Sequence, residues 1–124
     1  MTALRILVTG SRTFDDVETI RAALAVAAYG RYPVVVVHGA CPSGADAIAA
    51  DLVRHMAEYL DITEERHPAD WKRHGRRAGF IRNAEMVELG ADVCLAFIRD
   101  GSRGATHTAD LAERAGIPTR RWTA

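Results

Sequence analysis

The chain has 124 residues, of which 48% are apolar and 26% are charged, and its 16 basic and 16 acidic residues give a formal net charge of zero. This length and composition predict one globular domain over residues 1–124, and the neutral charge disfavours whole-molecule electrostatic binding to nucleic acid while leaving room for a local basic patch. Because no apolar run approaches the ~20 residues of a membrane span and the N-terminus lacks a signal-peptide pattern, we expect a soluble cytoplasmic protein.

The first strand and helix are predicted within residues 4–28. Residues 4–9, LRILVT, form a short apolar run typical of a strand that is buried on both faces. Asp15 or Asp16 then caps a helix that runs to about Ala28. The predicted buried face of this helix consists of Val17, Ile20, Leu24 and Ala27 or Ala28.

A second strand and helix follow in the same pattern. The run VVVVH at 34–38 predicts another buried strand, and the next helix begins near Ser43 or Gly44. Residues 61–66, DITEER, alternate weakly and predict a short edge strand. The predicted buried face of the second helix consists of Ala45, Ile48, Ala49, Leu52, Val53 and Met56.

The middle of the chain is more polar. The stretch HPADWKRHGRR at 67–77 lacks apolar periodicity and predicts a polar connection. A third helix is predicted over 76–89 and is ended by Gly90. Its candidate buried positions are Ala78, Ile81, Met86 and Leu89.

The last part of the chain completes an alternating order. DVCLAFI at 92–98 predicts a buried strand, RDGSRGATH at 99–107 a glycine-rich loop, and TADLAERAG at 108–116 a short helix. IPTRRW at 117–122 predicts a final strand, which Pro118 favours at a sheet edge. Strict alternation of apolar strands and helices predicts an α/β fold, a Rossmann-like three-layer sandwich with a five-stranded, mostly parallel sheet in the order 3-2-1-4-5.

Three loops rich in small residues are predicted to meet at the carboxyl edge of this sheet, where the strand order reverses between strands 1 and 4. Glycines there let backbone N–H groups approach an anion, helix N-termini add partial positive charge, and arginine side chains bind phosphate bidentately. The sequence therefore predicts an anion-binding crevice. Its candidate residues are Gly10, Ser11 and Arg12 in the first loop, Gly39, Ser43, Gly44 and Asp46 in the second, and Gly101, Ser102, Arg103, Gly104 and Thr106 in the third.

Structural roles compete with these assignments. Gly10, Gly39 and Gly104 are also explained as simple turn glycines. Ser43 and Asp46 are also explained as caps of the second helix, because both residue types favour helix starts. The residues alone leave both interpretations open.

Other site chemistries are poorly represented. The chain has no GxGxxG, no GxxxxGK[ST] and no CxxC, and its five histidines lack metal-like spacing. We therefore predict neither a standard dinucleotide fingerprint nor a P-loop, no metal site and no certain cofactor. Cys41 is interpreted as a small filler rather than a nucleophile, because no histidine–aspartate pair is spaced to activate it.

The segment 71–83, WKRHGRRAGFIRN, contains five Lys or Arg residues and no acidic residue. It is either a solvated loop and helix start or a further part of the crevice. In the second interpretation Arg82 and Asn83 face a phosphate or a sugar, and Trp71 stacks on a base or covers the pocket.

Five motifs, TGSR, HGACPSGAD, PADW, RNAEM and GSRGATH…AERAGIP, resemble the SLOG superfamily (SMF/DprA–LOG-like), in its small single-domain YspA/YpsA-related branch of bacterial and phage proteins. The resemblance covers about residues 4–122. It implies a sensor or sequestering protein for a nucleotide-derived ligand of the ADP-ribose, NAD or nucleoside-phosphate class, and a homodimer or larger homo-oligomer. The family site maps onto the loop residues named above, apart from Arg103, and onto Arg82 and Asn83.

Two relatives in this superfamily imply different activities. The LOG phosphoribohydrolases cleave the base from a nucleoside monophosphate with an Arg and the Glu of a PGGxGTxxE loop. The corresponding loop here, DGSRGATHTAD, lacks the paired PGG and places Ala109 or Asp110 at the Glu position, whereas Arg82 matches the Arg. DprA binds single-stranded DNA, and its GSR loop and Arg-Asn pair resemble Arg12, Arg82 and Asn83.

Three functions of different classes follow from these observations. The first is binding of a nucleotide-derived ligand with little or no catalysis. The second is hydrolysis of a nucleotide N-glycosidic bond, which requires a carboxylate from Asp46, Glu85 or Asp110. The third is single-stranded nucleic-acid binding through the basic run 72–82. The missing LOG-type Glu favours binding over catalysis.

Overall fold

Five parallel strands form one sheet in the order β3-β2-β1-β4-β5, as predicted. The computed structural model describes residues 2–124. The central strand β1 pairs on both sides, so that Leu7 lies beside Val37 of β2 and Cys94 of β4. The strands are Leu4–Gly10 (β1), Val34–His38 (β2), Ile62–Arg66 (β3), Val93–Ile98 (β4) and Thr119–Thr123 (β5).

Every connection between strands contains a helix. The Asp16 carboxylate caps the first helix by accepting a hydrogen bond from the N–H of Thr19 at 3.1 Å, and Gly90 ends the fourth at φ = 89°. No helix within residues 2–124 has the length and apolar character needed to cross a membrane. The helices are Val17–Ala28 (α1), Gly44–Met56 (α2), Trp71–His74 (α3), Ala78–Leu89 (α4) and Arg103–Arg114 (α5).

The side chains of β1 alternate between two cores, which explains its continuous apolar sequence. Ile6 packs in a core with Ile20 of α1 and with Ala49 and Val53 of α2. Leu7 packs on the opposite face with Met86 of α4 and Ala112 of α5. The sheet is therefore covered by α1 and α2 on one side and by α4 and α5 on the other, which is the predicted three-layer arrangement.

The predicted polar connection at 67–77 was wrong in part, because it contains α3 and a 3₁₀ turn at Gly75–Arg77. The Asp70 carboxylate starts α3 by accepting a hydrogen bond from the N–H of Arg73 at 3.1 Å. Such a short, exposed turn is stabilised by its cap and buries no apolar face, so apolar periodicity did not reveal it. The third predicted helix correspondingly begins at Ala78 instead of residue 76.

The predicted start of the last helix was late, since α5 begins at Arg103. Gly104 and Thr106 therefore lie in the first turn of a helix and not in a loop. Val17 and Leu89, both predicted to be buried, are 45% and 61% exposed. They are the first residue of α1 and the last residue of α4.

Candidate functional site

A cavity of about 390 Å³ lies at the carboxyl edge of the sheet, beside the ends of β1 and β4. These adjacent strands continue into connections on opposite sides, so the cavity occupies the predicted switch point. Most predicted site residues line it: Gly10, Ser11, Arg12, Asp46, Trp71, Arg82, Asn83, Ser102 and Gly104. The others lie outside its lining: Gly39, Ser43, Gly44, Gly101, Arg103 and Thr106.

The loop after β1 packs directly against the start of α2. Gly44 adopts φ = 74°, and a Cβ there would overlap the carbonyl oxygen of Ser11. That carbonyl accepts a hydrogen bond from the N–H of Ala45 at 3.3 Å. The Ser11 hydroxyl accepts from the N–H of Arg99 at 2.7 Å and donates to its carbonyl at 3.3 Å. Gly44 and Ser11 thus hold the wall of the cavity together, and Gly44 permits a close approach that a side chain would prevent.

Asp46 lies in the first turn of α2 and is buried in the cavity wall. Ser43 occupies the N-cap position of this helix without a side-chain hydrogen bond. The Asp46 Oδ2 atom instead accepts from the N–H of Cys41, in the preceding turn, at 3.4 Å. The Asp46 side chain therefore does not occupy the N-cap position of α2, and it lines the cavity.

Burial raises the pKa of the Asp46 carboxyl group, against the lowering effects of His38, Cys41 and Arg82. Burial also raises the pKa of the Cys41 thiol, which disfavours the nucleophilic thiolate. A carboxyl group that retains its proton more readily than usual can donate a hydrogen bond or a proton inside a cavity. Of the two groups, Asp46 is the better candidate for proton chemistry.

Arg82 is 8% exposed and projects from α4 into the inner end of the cavity. Its Nε donates to Asn83 Oδ1 at 2.8 Å, and its Nη1 donates to the carbonyls of Gly39 and, at 3.2 Å, His67. These acceptors are neutral, and no carboxylate of residues 2–124 forms an ion pair with Arg82. Its Nη2 has no hydrogen-bond partner within the same residues. The guanidinium is thus fixed in direction while its charge remains available.

The N-terminus of α5 forms the wall of the cavity that follows β4. Ser102 is its N-cap and makes no side-chain cap bond, and the first turn contains no acidic residue. The first backbone bond of the helix runs from the N–H of Thr106 to the carbonyl of Ser102. The N–H groups of residues 103–105 therefore have no intrahelical acceptor, and the helix dipole adds partial positive charge there.

Aromatic and basic side chains form the outer part of the cavity, here called the mouth and defined as Arg12, Trp71, Arg76 and Phe80. Trp71 and Phe80 are 50% and 45% exposed. The Cζ atom of Arg12 lies 5.9 Å from the centroid of the Trp71 ring, which is cation–π distance. The mouth thus offers flat apolar surface beside positive charge.

Several lining residues were not predicted from the sequence, in particular Arg76, Gly79 and Phe80. Cys41 and Met86, which were assigned only packing roles, also line the cavity. The signal that was available is helical spacing. Positions 79, 82, 83 and 86 follow an i, i+3, i+4, i+7 pattern and therefore share one face of α4. Arg82 and Asn83 were predicted site residues on that face, and extending the face by one turn in each direction identifies Gly79 and Met86.

The three carboxylates considered for catalysis occupy different environments. Asp46 lines the cavity, whereas Glu85 and Asp110 do not. Asp110 Oδ1 accepts a hydrogen bond from Arg121 Nη2 at 2.8 Å, and Ala109 is buried. No three His, Cys, Asp or Glu side chains within residues 2–124 are grouped closely enough to hold a metal ion.

Comparison with known proteins gives two matches. A family model described as "YAcAr: YspA, cpYpsA-related SLOG family" matches residues 4–74, which is more than half of the chain. The "Gene 61 protein" of Mycobacterium phage D29 is 47% identical over 116 residues, covering 92% of each chain. No solved structure matches the chain significantly. The segment matched by the family model contains the loop after β1 and the turn into α2, and thus two walls of the cavity.

Proposed function

The chain belongs to the YspA, cpYpsA-related SLOG family, and from this premise we propose that it binds a nucleotide-derived ligand in the cavity without cleaving it. The observation that carries the proposal is the environment of the Arg82 guanidinium. Its guanidinium is buried, is held in one direction by neutral acceptors, and has no ion pair within residues 2–124. A buried cation of this kind is expected to meet an anion when its ligand is present.

A phosphate group suits the inner end of the cavity. Arg82 Nη2 supplies a charged donor, and the N–H groups at the start of α5 supply neutral donors with the favourable end of the helix dipole. Ser102 and Gly104 line the cavity beside them, so backbone there is accessible to the ligand. A single phosphate oxyanion bonded to both elements would link α4 to α5.

The remaining surfaces suit a nucleoside. Asn83 and Asp46 line the cavity as hydrogen-bonding groups for ribose hydroxyls, and Phe80, Trp71 and Met86 supply apolar and aromatic surface for a base. The volume of about 390 Å³ falls within the range of small-molecule sites. Adenine nucleotides are the natural first probes because they combine these three parts.

Ser102→Asp tests the proposal, with Ser43→Asp as the matched control. Both serines are helix N-caps that make no side-chain cap bond, so aspartate should leave either helix at least as stable. Only Ser102 lines the cavity, where a carboxylate would repel phosphate. Calorimetric titration with AMP, ADP-ribose and NAD should show binding to the original chain and to Ser43→Asp, and about tenfold or greater weakening in Ser102→Asp.

Two results would count against this function. One is the absence of binding heat for all three nucleotides when thermal melting shows that the original chain is folded. The other is equal affinity in Ser102→Asp and Ser43→Asp, which would remove the start of α5 from the site.

Hydrolysis of a nucleotide N-glycosidic bond is the second candidate, and the position of Asp46 favours it. A buried carboxyl group with a raised pKa beside Arg82 is the arrangement expected of a general acid that protonates a leaving base. Adenine release from AMP, measured by chromatography, separates the two functions. The binding function predicts no release, whereas turnover that disappears in Asp46→Asn while AMP still binds would establish a hydrolase.

A further inference from the structure

The mouth contains two arginines whose positive charge is not neutralised by an ion pair within residues 2–124. Arg12 and Arg76 line the cavity and are exposed. Neither forms an ion pair with a carboxylate of residues 2–124. In a molecule with zero net charge, two unpaired cations at one opening produce a local positive potential.

This positive group is distinct from Arg82. A Cβ placed on Gly79 would lie 3.6 Å from Cη2 of Trp71 and 3.9 Å from Nη2 of Arg82. Gly79 therefore lies beside both the aromatic ring of the mouth and the inner guanidinium. Arg12 stands over the Trp71 ring, at 5.9 Å from its centroid. The cavity thus has one cation at its inner end and others at its mouth, with apolar surface between them.

We propose that the cavity takes a nucleotide with two separated anionic groups, one bound by Arg82 and the start of α5 and the second bound by Arg12 and Arg76. The proposal rests on the function proposed above and specifies its ligand class. A nucleoside with phosphates on two sides of its sugar meets both cationic positions, as does a phosphodiester-linked dinucleotide. A nucleoside monophosphate leaves one position unpaired.

The physical reason lies in charge pairing across a partly desolvated cavity. Each arginine can form charge-assisted hydrogen bonds to phosphate, and these are stronger than neutral ones. The cation–π contact holds the Arg12 side chain over the mouth before the ligand arrives, which reduces the conformational entropy lost on binding. Arg12 is therefore already placed at the mouth when a second anionic group arrives, and Arg76 lines the same opening.

Titration with AMP and with adenosine 3′,5′-bisphosphate tests the proposal. In the original chain the bisphosphate should bind about tenfold or more tightly than AMP, because of its extra charge-assisted contacts. The double variant Arg12→Ala/Arg76→Ala should reduce this ratio to near unity. Arg77→Ala is the matched control: Arg77 is the exposed neighbour of Arg76, does not line the cavity, and should keep the original ratio.

The outcomes distinguish this inference from the function on which it rests. A ratio near unity in the original chain, or an unchanged ratio in the double variant, overturns the two-anion ligand while leaving nucleotide binding intact. Failure of both nucleotides to bind the folded chain overturns the two-anion ligand, and failure of ADP-ribose and NAD as well overturns the proposed function. If the ratio of bisphosphate to AMP affinity falls equally in the double variant and in Arg77→Ala, the preference comes from the general positive potential of the surface. That result would also overturn the second subsite.

Discussion

The Nδ1 atom of His38 accepts a hydrogen bond from the backbone N–H of Ala40 at 3.0 Å. His38 is fully buried, and its Nε2 lies 2.7 Å from Glu64 Oε2. Because Nδ1 is the acceptor, the neutral ring carries its proton on Nε2, and this N–H donates a hydrogen bond to Glu64. Ala40 adopts φ = 57°, an uncommon conformation for a residue with a side chain. The hydrogen bond thus fixes the tautomer of His38 and stabilises the backbone conformation of Ala40.

The two residues on either side of Ala40 form hydrogen bonds to side chains that line the cavity. The carbonyl of Gly39 accepts from Arg82 Nη1, and the N–H of Cys41 donates to Asp46 at 3.4 Å. A shift of Ala40 would therefore displace both the inner cation and the buried carboxyl group. His38 is a positioning residue for the site, although it does not line the cavity.

We expect His38→Asn and His38→Gln to differ in ligand binding. The asparagine Oδ1 replaces Nδ1 and keeps the bond to Ala40, whereas the glutamine Nε2 replaces the ring Nε2 and keeps only the bond to Glu64. Both variants lose the imidazole and should be destabilised by about 1–3 kcal/mol. Nucleotide affinity should fall about tenfold further in His38→Gln, because Arg82 and Asp46 lose their fixed positions.

Calorimetric titration of the two variants beside urea unfolding checks this prediction. Equal affinities would show that the bond to Ala40 does not position the site. If the loss of nucleotide affinity is proportional to the loss of unfolding free energy in both variants, His38 has a role in stability alone.

Gly79→Ala should increase stability and reduce binding. Gly79 lies in the first turns of α4, where alanine is favoured over glycine by about 0.5–1 kcal/mol. The new Cβ would be in ordinary contact with Trp71 and Arg82, at 3.6 and 3.9 Å, so no clash offsets this gain. It would nevertheless fill the space between them, which the ligand is expected to use.

Thermal melting and nucleotide titration of the same sample give both readouts. Gly104→Ala, at a helical glycine with open space around its Cβ position, is a comparison for the stability readout alone. Unchanged affinity in Gly79→Ala would show that the ligand does not pass between Trp71 and Arg82.

The fold was predictable because its signals are local, whereas part of the site depends on contacts between distant segments. The apolar runs of β1, β2 and β4 and the stop at Gly90 are visible in short windows of sequence. The strand order then brought the loop of Ser11 and the loop of Ser102 to one edge. Nothing local indicates that Arg82 is bonded to Gly39, 43 residues away, or that Gly79 leaves a gap beside Trp71.

Asp46→Asn should increase stability by an amount that grows with pH. Burial raises the pKa of Asp46 in the folded chain above its value in the unfolded chain. Its contribution is then fully present below the unfolded pKa of about 4 and is lost as pH rises through the folded pKa, where a buried charge must form. The amide has no such charge, and its Oδ1 can still accept from Cys41. Urea unfolding at pH 3, below the unfolded pKa, and at pH 8 measures the difference, and an equal gain at both would contradict a raised pKa.

Glu65→Gln should have the opposite pH signature. Hydrogen bonds from Arg5, with Nη1 and Nη2 at 3.0 and 2.9 Å, and from His67 at 2.7 Å lower the pKa of Glu65 to about 2. A depressed folded pKa gives stability that is present above the unfolded value of about 4.5 and is lost as pH falls through the folded value.

The original chain should therefore lose stability between about pH 5 and pH 2, and Glu65→Gln should lose less over that interval. At pH 7 the variant should be less stable by about 1 kcal/mol or less, because solvent screens a side chain that is 35% exposed. Urea midpoints measured across this range provide the comparison. Equal loss of stability with falling pH in the original chain and in Glu65→Gln would contradict the lowered pKa. The His67 carbonyl also accepts from Arg82 at 3.2 Å. Weaker nucleotide binding by Glu65→Gln at pH 7, where folding is intact, would then indicate that the Arg5–Glu65–His67 chain helps to hold the inner cation in place.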